Sequence, residues 1–301
     1  MTEYLLSIEG TPAGQTLAML LALNAAFLHA LLSALQKGRF DPWIARAGID
    51  TAFVVLALPV ALFVVTPPQG AEWALFAGAA VIHLAYKVGV ALAFTRGAYT
   101  VVYPVVRGVG PLCAILGAWV VFGERFGALQ WLGVAILLAG LFGLAATNLA
   151  RVQAGRDTLV PALWFAVGTG VLVAAYTTYG AFAIRAMPDP FTFVAWFFVL
   201  CALDMPLVGV WRIRTGRSPM PDLRGLVPRS ILGALAGFGS FGGVMLATRL
   251  DDVGEAAVLR ETSVVFAAAL GWLFLNEPIG VRRLLLMGMI AAGAVLVELG
   301  G

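Results

Sequence analysis

The chain has 301 residues, 61% of them hydrophobic and only 12% charged, with 35 glycines and a formal net charge of +3. A soluble domain carries roughly 25% charged residues, so half that value points to lipid as the main solvent and excludes an ordinary soluble enzyme. The basic residues flank apolar runs rather than forming a patch, which excludes a nucleic-acid partner; the two cysteines, Cys113 and Cys201, suggest neither a disulfide framework nor a thiolate metal site.

A membrane-spanning helix needs about 20 mostly apolar residues. Ten such runs follow one another, near Gln15–Gln36, Ala47–Val65, Ala71–Phe94, Ala98–Phe122, Gly127–Thr147, Leu159–Ile184, Phe191–Val210, Ser230–Thr248, Ala256–Leu275 and Ile279–Leu299. They are continuous rather than alternating, which predicts an all-α polytopic membrane protein and not a β-barrel. The N-terminal segment carries Glu3 and Glu9 and no Lys or Arg before Lys37, so it is not expected to be a signal peptide. The longest connection, about Trp211 to Arg229, is small for an independent fold.

An ionisable group in the hydrocarbon core costs about 2.5–3.5 kcal/mol on insertion scales, so the polar residues inside the runs are the candidate functional ones. The first run holds Asn24 and His29, and the third holds His83, Tyr86 and Lys87. His83 is either a proton relay or a hydrogen-bonded packing residue; Lys87 either pairs with an acid or holds an anionic ligand. In the fourth run Tyr99, Tyr103 and Arg107 recur every four residues and so share one helix face. Pro104, Gly108, Gly110 and Pro111 interrupt regular hydrogen bonding there, which membrane proteins tolerate where backbone lines a cavity or is buried in protein. The sixth run carries Tyr176, Thr177, Thr178 and Tyr179, the seventh Asp204, and the ninth Arg260 and Glu261. In the eighth, Gly233, Gly237, Gly239 and Gly243 allow close helix packing. Lys87, Arg107 and Arg260 outnumber Asp204 and Glu261, so the interior leans cationic.

The sequence also repeats itself at a spacing of 153 residues. Gly89–Gly140 aligns without gaps on Gly242–Gly293 with 12 identities in 52 positions, among them Arg107 on Arg260, Trp119 on Trp272, Glu124 on Glu277 and Gly127 on Gly280. Arg, Trp and Glu are rare in this chain, so their coincidence marks a duplication. Asp41-Pro42 answers Asp189-Pro190 more loosely, and Pro59 answers Pro206. The domains expected are residues 1–150, a first five-helix repeat, and 151–301, a second.

Loop charges set orientation. Lys37, Arg39, Arg46, Arg96, Arg151, Arg156, Arg212, Arg214, Arg217, Arg224, Arg229, Arg282 and Arg283 fall on one side, against Arg125, Arg185 and Arg249 on the other. The first side is expected to be cytoplasmic, with both termini outside, in a bacterial-type cytoplasmic (inner) membrane. Because five is odd, the second repeat enters the membrane in the opposite sense to the first. Inverted repeats of this kind build secondary transporters with a site near the midplane. Arg107 and Arg260 then face a common centre from opposite sides, each within roughly 10 Å of the midplane. Trp119 and Trp272 fall near helix ends, where aromatic belts form, and Glu124 and Glu277 are expected to cap the ends of the fourth and ninth helices.

Two turns, G-E-R-F-G at Gly123–Gly127 and N-E-P-I-G at Asn276–Gly280, each follow the fourth helix of a half. With ten helices in two halves, they resemble the EamA group of the drug/metabolite transporter superfamily. The resemblance covers essentially the whole chain. It implies a basket-like bundle with helices 1, 3, 4, 6, 8 and 9 around a central cavity, and transport of small metabolites such as amino acids. The cationic centre departs from a neutral, aromatic cavity.

The expected function is alternating-access transport of a small organic solute bearing an anionic group, of amino acid, carboxylate or phosphonate type. An Arg fork holds such groups bidentately. The substrate-binding candidates are Arg107, Arg260, Lys87, Tyr103, Tyr86, Tyr176, Tyr179, His83 and Asn24, with Glu261 and Asp204 as coupling or ion-pair residues and protons as the candidate coupling ion. No cofactor or metal is expected, and a monomer suffices, with a dimer left open. The alternative within transport is export of amphipathic cations or drugs, which requires Glu261 or Asp204 to stand as an unpaired acid. A passive channel and an intramembrane enzyme are the alternatives outside it; the sequence has no H-E-x-x-H or G-x-S-x-G motif.

Overall fold

The computed structural model describes residues 1–36, 40–96, 99–149, 156–275 and 280–301, and every regular element among them is helical. A short helix α1 (Thr2–Ser7) precedes α2 (Pro12–Gln36), α3 (Pro42–Phe63), α4 (Glu72–Arg96), α5 (Tyr99–Phe122) and α6 (Ala128–Leu149). The second half opens with α7 (Arg156–Ala186) and closes with α14 (Val281–Glu298). Between them, three of the expected spans are interrupted. The seventh is α8 (Pro190–Leu200) followed by α9 (Asp204–Arg214). The eighth is α10 (Leu223–Gly237) and α11 (Gly243–Leu250), joined by a π-helical turn at Phe238–Gly242. The ninth is α12 (Val253–Arg260) followed by α13 (Ser263–Leu275). Among the described residues, 9 stretches are long and apolar enough to cross a membrane. The tenth expected span, α14, has the length but carries Arg282, Arg283 and Glu298.

Two helix starts are built alike. The Asp41 carboxylate accepts the N–H groups of Trp43 at 2.8 Å and Ile44 at 3.2 Å at the head of α3. Asp189 accepts that of Phe191 at 3.1 Å at the head of α8. In each a proline opens the helix, where a missing N–H costs nothing and a fixed φ suits the first turn. The Asp-Pro match in the sequence is therefore a shared cap. At the other extreme, α5 closes on Gly123, whose φ of +75° only glycine adopts freely.

The two termini meet the same end of the bundle. Thr2 donates its hydroxyl to Asp189 at 2.9 Å, Glu9 pairs with Arg249 at 3.1 Å, and Gly300 lies against Gln130 beside the Gly123–Gly127 turn. At the opposite end Ser218, in the connection after α9, donates to Asp41 at 3.2 Å.

Helices of the first half pack against helices of the second. Helix α7 packs on α4 and α5; α2 packs on α10 and α11 and on α12 and α13. Helix α3 lies against α8 and α9, α5 against α12, and α6 against α14. The last of these pairs closes on glycine: a Cβ at Gly133 would lie 2.6 Å from the Gly293 carbonyl oxygen, and one at Gly293 would lie 2.5 Å from that of Gly133. Small residues let backbones approach in this way where lipid gives no hydrophobic drive. The glycines of the eighth span are likewise spent inside the chain, Gly233 and Gly237 on α3 side chains and Gly239 and Gly243 on α2.

Candidate functional site

The break in the seventh span creates the first half of the interior network. Pro206 has no N–H to give the Ala202 carbonyl, and the Met205 N–H donates instead to the Asp204 carboxylate at 2.7 Å. The carbonyl of Cys201 accepts from Lys87 of α4, whose Nζ lies 2.8 Å away. The same Nζ reaches Asp204 at 2.6 Å and Asp50 of α3 at 3.0 Å. Asp50 is fully buried and also meets Arg46, one turn earlier, at 2.8 Å. All three Lys87 protons are used by partners within the chain, and two cations balance two acids.

The break in the ninth span creates the second half. After Val258 the helix tightens to three-residue bonds: Glu261 N–H to the Val258 carbonyl at 3.0 Å, Thr262 to Leu259 at 3.1 Å, and Val264 to Glu261 at 3.1 Å. The Thr262 hydroxyl donates to the Leu259 carbonyl at 2.6 Å, which supports the kink. On this corner Arg107 of α5 lays its guanidinium against Glu261. Nη1 donates to Oε1 at 3.2 Å, and Nε stands 3.2 Å from Oε2 in an ion-pair contact without the direction of a hydrogen bond. Arg107 Nη2 donates to the hydroxyl of Ser263. The Tyr103 ring, half-buried one turn earlier, lies 5.6 Å from the Arg107 guanidinium carbon.

Arg260 is placed differently. It is only 4% exposed, yet no carboxylate among the described residues comes within ion-pair distance of it. Its Nη1 donates to the Tyr176 hydroxyl at 3.2 Å, and its buried Nε has no hydrogen-bond partner. Tyr176 belongs to an aromatic group with Tyr86 at 4.9 Å and His83 at 4.8 Å, between ring centroids, and His83 also meets Phe197 at 4.8 Å. Through the Tyr176 hydroxyl these rings stand directly against Arg260. The α4, α7 and α12 helices thus bring Tyr86, His83, Tyr176 and Arg260 together, with Arg107, Tyr103 and Glu261 beside them.

Two expected residues stand apart. Tyr179 donates its hydroxyl to the Leu75 carbonyl at 3.2 Å, near the N-terminal end of α4. Asn24 is exposed on the face of α2 that carries Leu20 and Phe27, whereas the half-buried His29 packs its ring 6.0 Å from Phe241.

Three participants had no place among the expected site residues. Arg46 was expected in a loop and lies inside α3, Asp50 joins it at i+4, and Ser263 completes the Arg107 contact. An Arg and an Asp four apart at the mouth of an apolar run was the available signal for the first two. Nothing local announced Ser263, which depends on α5 lying across the break.

At the end that holds the termini, Glu124 accepts the N–H groups of Val253 at 2.9 Å and Gly254 at 3.0 Å. It was expected to cap the helix it follows; instead it caps the start of α12 in the other half, where a carboxylate meets exposed N–H groups and a favourable dipole. Burial raises its carboxyl above the usual carboxylate range while these backbone bonds oppose the shift. Glu277, its match, lies outside the described residues. Trp119 and Trp272 are both exposed.

Among known proteins, residues 160–299 match the EamA-like transporter family. No curated protein matches the chain. A solved structure described as "Crystal structure of protein" superposes with a TM-score of 0.71 at 18% identity, covering 94% of this chain and 98% of that one. At that identity the likeness shows the fold.

Proposed function

We propose that the chain is a secondary transporter that moves a small organic solute bearing an anionic group across the cytoplasmic membrane, a reading supported by the match of residues 160–299 to the EamA-like transporter family. The observation that carries this reading is Arg260, a buried guanidinium that meets a tyrosine hydroxyl and no acid among the described residues. Burying a cation unpaired is expensive, and a carboxylate or phosphonate arriving beside Tyr176 and Tyr86 supplies the missing charge. Arg46 and Lys87 balance Asp50 and Asp204, and Arg107 pairs with Glu261, so among the described residues of these networks Arg260 is the cation left without an acid in ion-pair contact.

Alternating access is the mechanism that goes with this site. The pairing of α7 with α4 and α5, and of α2 with α10 to α13, supports two halves related by a pseudo-two-fold axis in the membrane plane. The termini share one end of the bundle, and the charge bias of the loops makes that end the outside. Asp204 and His83 are the groups through which protons would couple, along with Glu261. Export of cationic drugs is the weaker reading, because Glu261 is held by Arg107 and Asp204 by Lys87.

Reconstituted vesicles test the reading. Preloaded with leucine, succinate or phenylphosphonate, they should show saturable counterflow of at least one of these labelled solutes, and Arg260→Ala should lower it about tenfold or more. Uptake of a quaternary ammonium ion with no anion flux would support cation export. Unsaturable leak would indicate a channel, and chemical conversion of a probe without flux would indicate an enzyme.

A further inference from the structure

Resting on that anion site, we propose that Glu261 is the specificity-determining residue that restricts the solute to a single negative charge, because it keeps Arg107 occupied and leaves Arg260 alone to receive the ligand. The two arginines are equivalent in the repeat, yet among the described residues only Arg107 has an acid within ion-pair distance. The register that sets Arg107 on Arg260 sets Gly108 on Glu261, so the first half has no carboxylate to give Arg260. Nor is there space for one there. A Cβ at Gly108 would lie 2.8 Å from the Phe142 ring on α6.

Glu261 is 1% exposed and is gripped along one edge of the Arg107 guanidinium, with the Ser263 hydroxyl taking another proton. A ligand carboxylate therefore meets an arginine already filled and an arginine still open. Two guanidiniums and one carboxylate carry a net single positive charge, which one ligand charge neutralises. Removing the Glu261 charge would leave two open forks at the same centre, suited to a dicarboxylate or a doubly ionised phosphonate. Among the described residues, His29 on α2 and Tyr86, Tyr103 and Tyr176 stand around the pair, and none of them supplies a second carboxylate.

The test uses purified full-length protein in nanodiscs at pH 8, with thermal shift read against matched probes: butyrate against succinate, and benzoate against phenylphosphonate. The wild type should bind the monoanion of each pair about tenfold more tightly. Glu261→Gln should reverse that order. Arg107→Gln, which leaves Arg260 beside an ionised Glu261, should lose affinity for all four probes, and Arg107→Gln with Glu261→Gln should recover the monoanion preference. The last two proteins carry the test even where Glu261→Gln fails to fold. A wild type that prefers the dianions, a Glu261→Gln protein that keeps the monoanion order, or a double variant that recovers nothing overturns the inference. If Arg260→Ala abolishes binding while Glu261→Gln changes no preference, only the role of Glu261 falls. If no probe shifts any of these proteins, the anion site itself falls.

Discussion

Arg107 sits in α5, a helix unbroken from Tyr99 to Phe122, whereas Arg260 ends α12 where its span breaks. The two occupy one place in a duplicated sequence, yet Arg107 is paired with Glu261 and Ser263 while Arg260 reaches only the Tyr176 hydroxyl. The same contrast separates the second spans of the halves. Helix α3 continues through Pro59, while its counterpart opens at Cys201–Leu203, just ahead of Pro206, and is held there by Lys87. The repeated sequence gives matched frames, and among the described residues the interrupted spans all lie in the second half. Such breaks free backbone groups at depth and turn side chains to new partners, as transporter sites require.

The largest expected effect is on the stapled break. Lys87→Met leaves Asp50 and Asp204 without their shared cation, and it should lower stability by about 3–5 kcal/mol. Thermal unfolding in detergent would measure it; a loss below about 1 kcal/mol would mean that Lys87 does not hold the two acids together. A symmetric seam should behave differently. Gly140 and Gly293 are matched positions, and a Cβ at either would press on the facing helix at 2.8 and 2.5 Å. Gly140→Val and Gly293→Val should therefore cost alike, about 1–3 kcal/mol each, and a large difference between them would extend the asymmetry beyond the broken spans.

Ser263→Ala removes one acceptor from Arg107 and should cost about 1–2 kcal/mol, since a buried charged donor loses its partner. The smallest effect compares the two caps. Asp41→Ala and Asp189→Ala should each cost about 1 kcal/mol. The two losses should be alike, because Asp41 accepts two N–H groups and the Ser218 hydroxyl, while Asp189 accepts one N–H and the hydroxyls of Thr2 at 2.9 Å and Thr192 at 3.0 Å. A clear difference between them would show that the hydroxyl partners of the two caps weigh unequally.

Most helix positions were legible because a run of about 20 apolar residues has few alternatives in lipid. The Asp-Pro starts were legible for a local reason, a carboxylate and a proline at the head of the same turn. The interruptions were not. Gly and Pro crowd the fourth run, where α5 stays continuous, while the ninth breaks at Glu261–Thr262 with no proline or glycine at the break. Local sequence marks where a helix is permitted to bend, but packing decides where it does. Lys87 had two readings in the sequence, a ligand contact or an ion pair, and choosing between them required knowing that Asp50 of α3 and Asp204 of α9 both lie within reach of its ammonium.

By itself, then, the sequence determined the apolar surroundings, the helical class, the internal match between its halves and the pair of arginines, because burial cost and residue rarity act along the chain. Only the tertiary structure decided that one arginine is neutralised and the other is not. That outcome depends on a carboxylate 154 residues from Arg107 being turned toward it by a broken helix, and no one-dimensional pattern contains that angle.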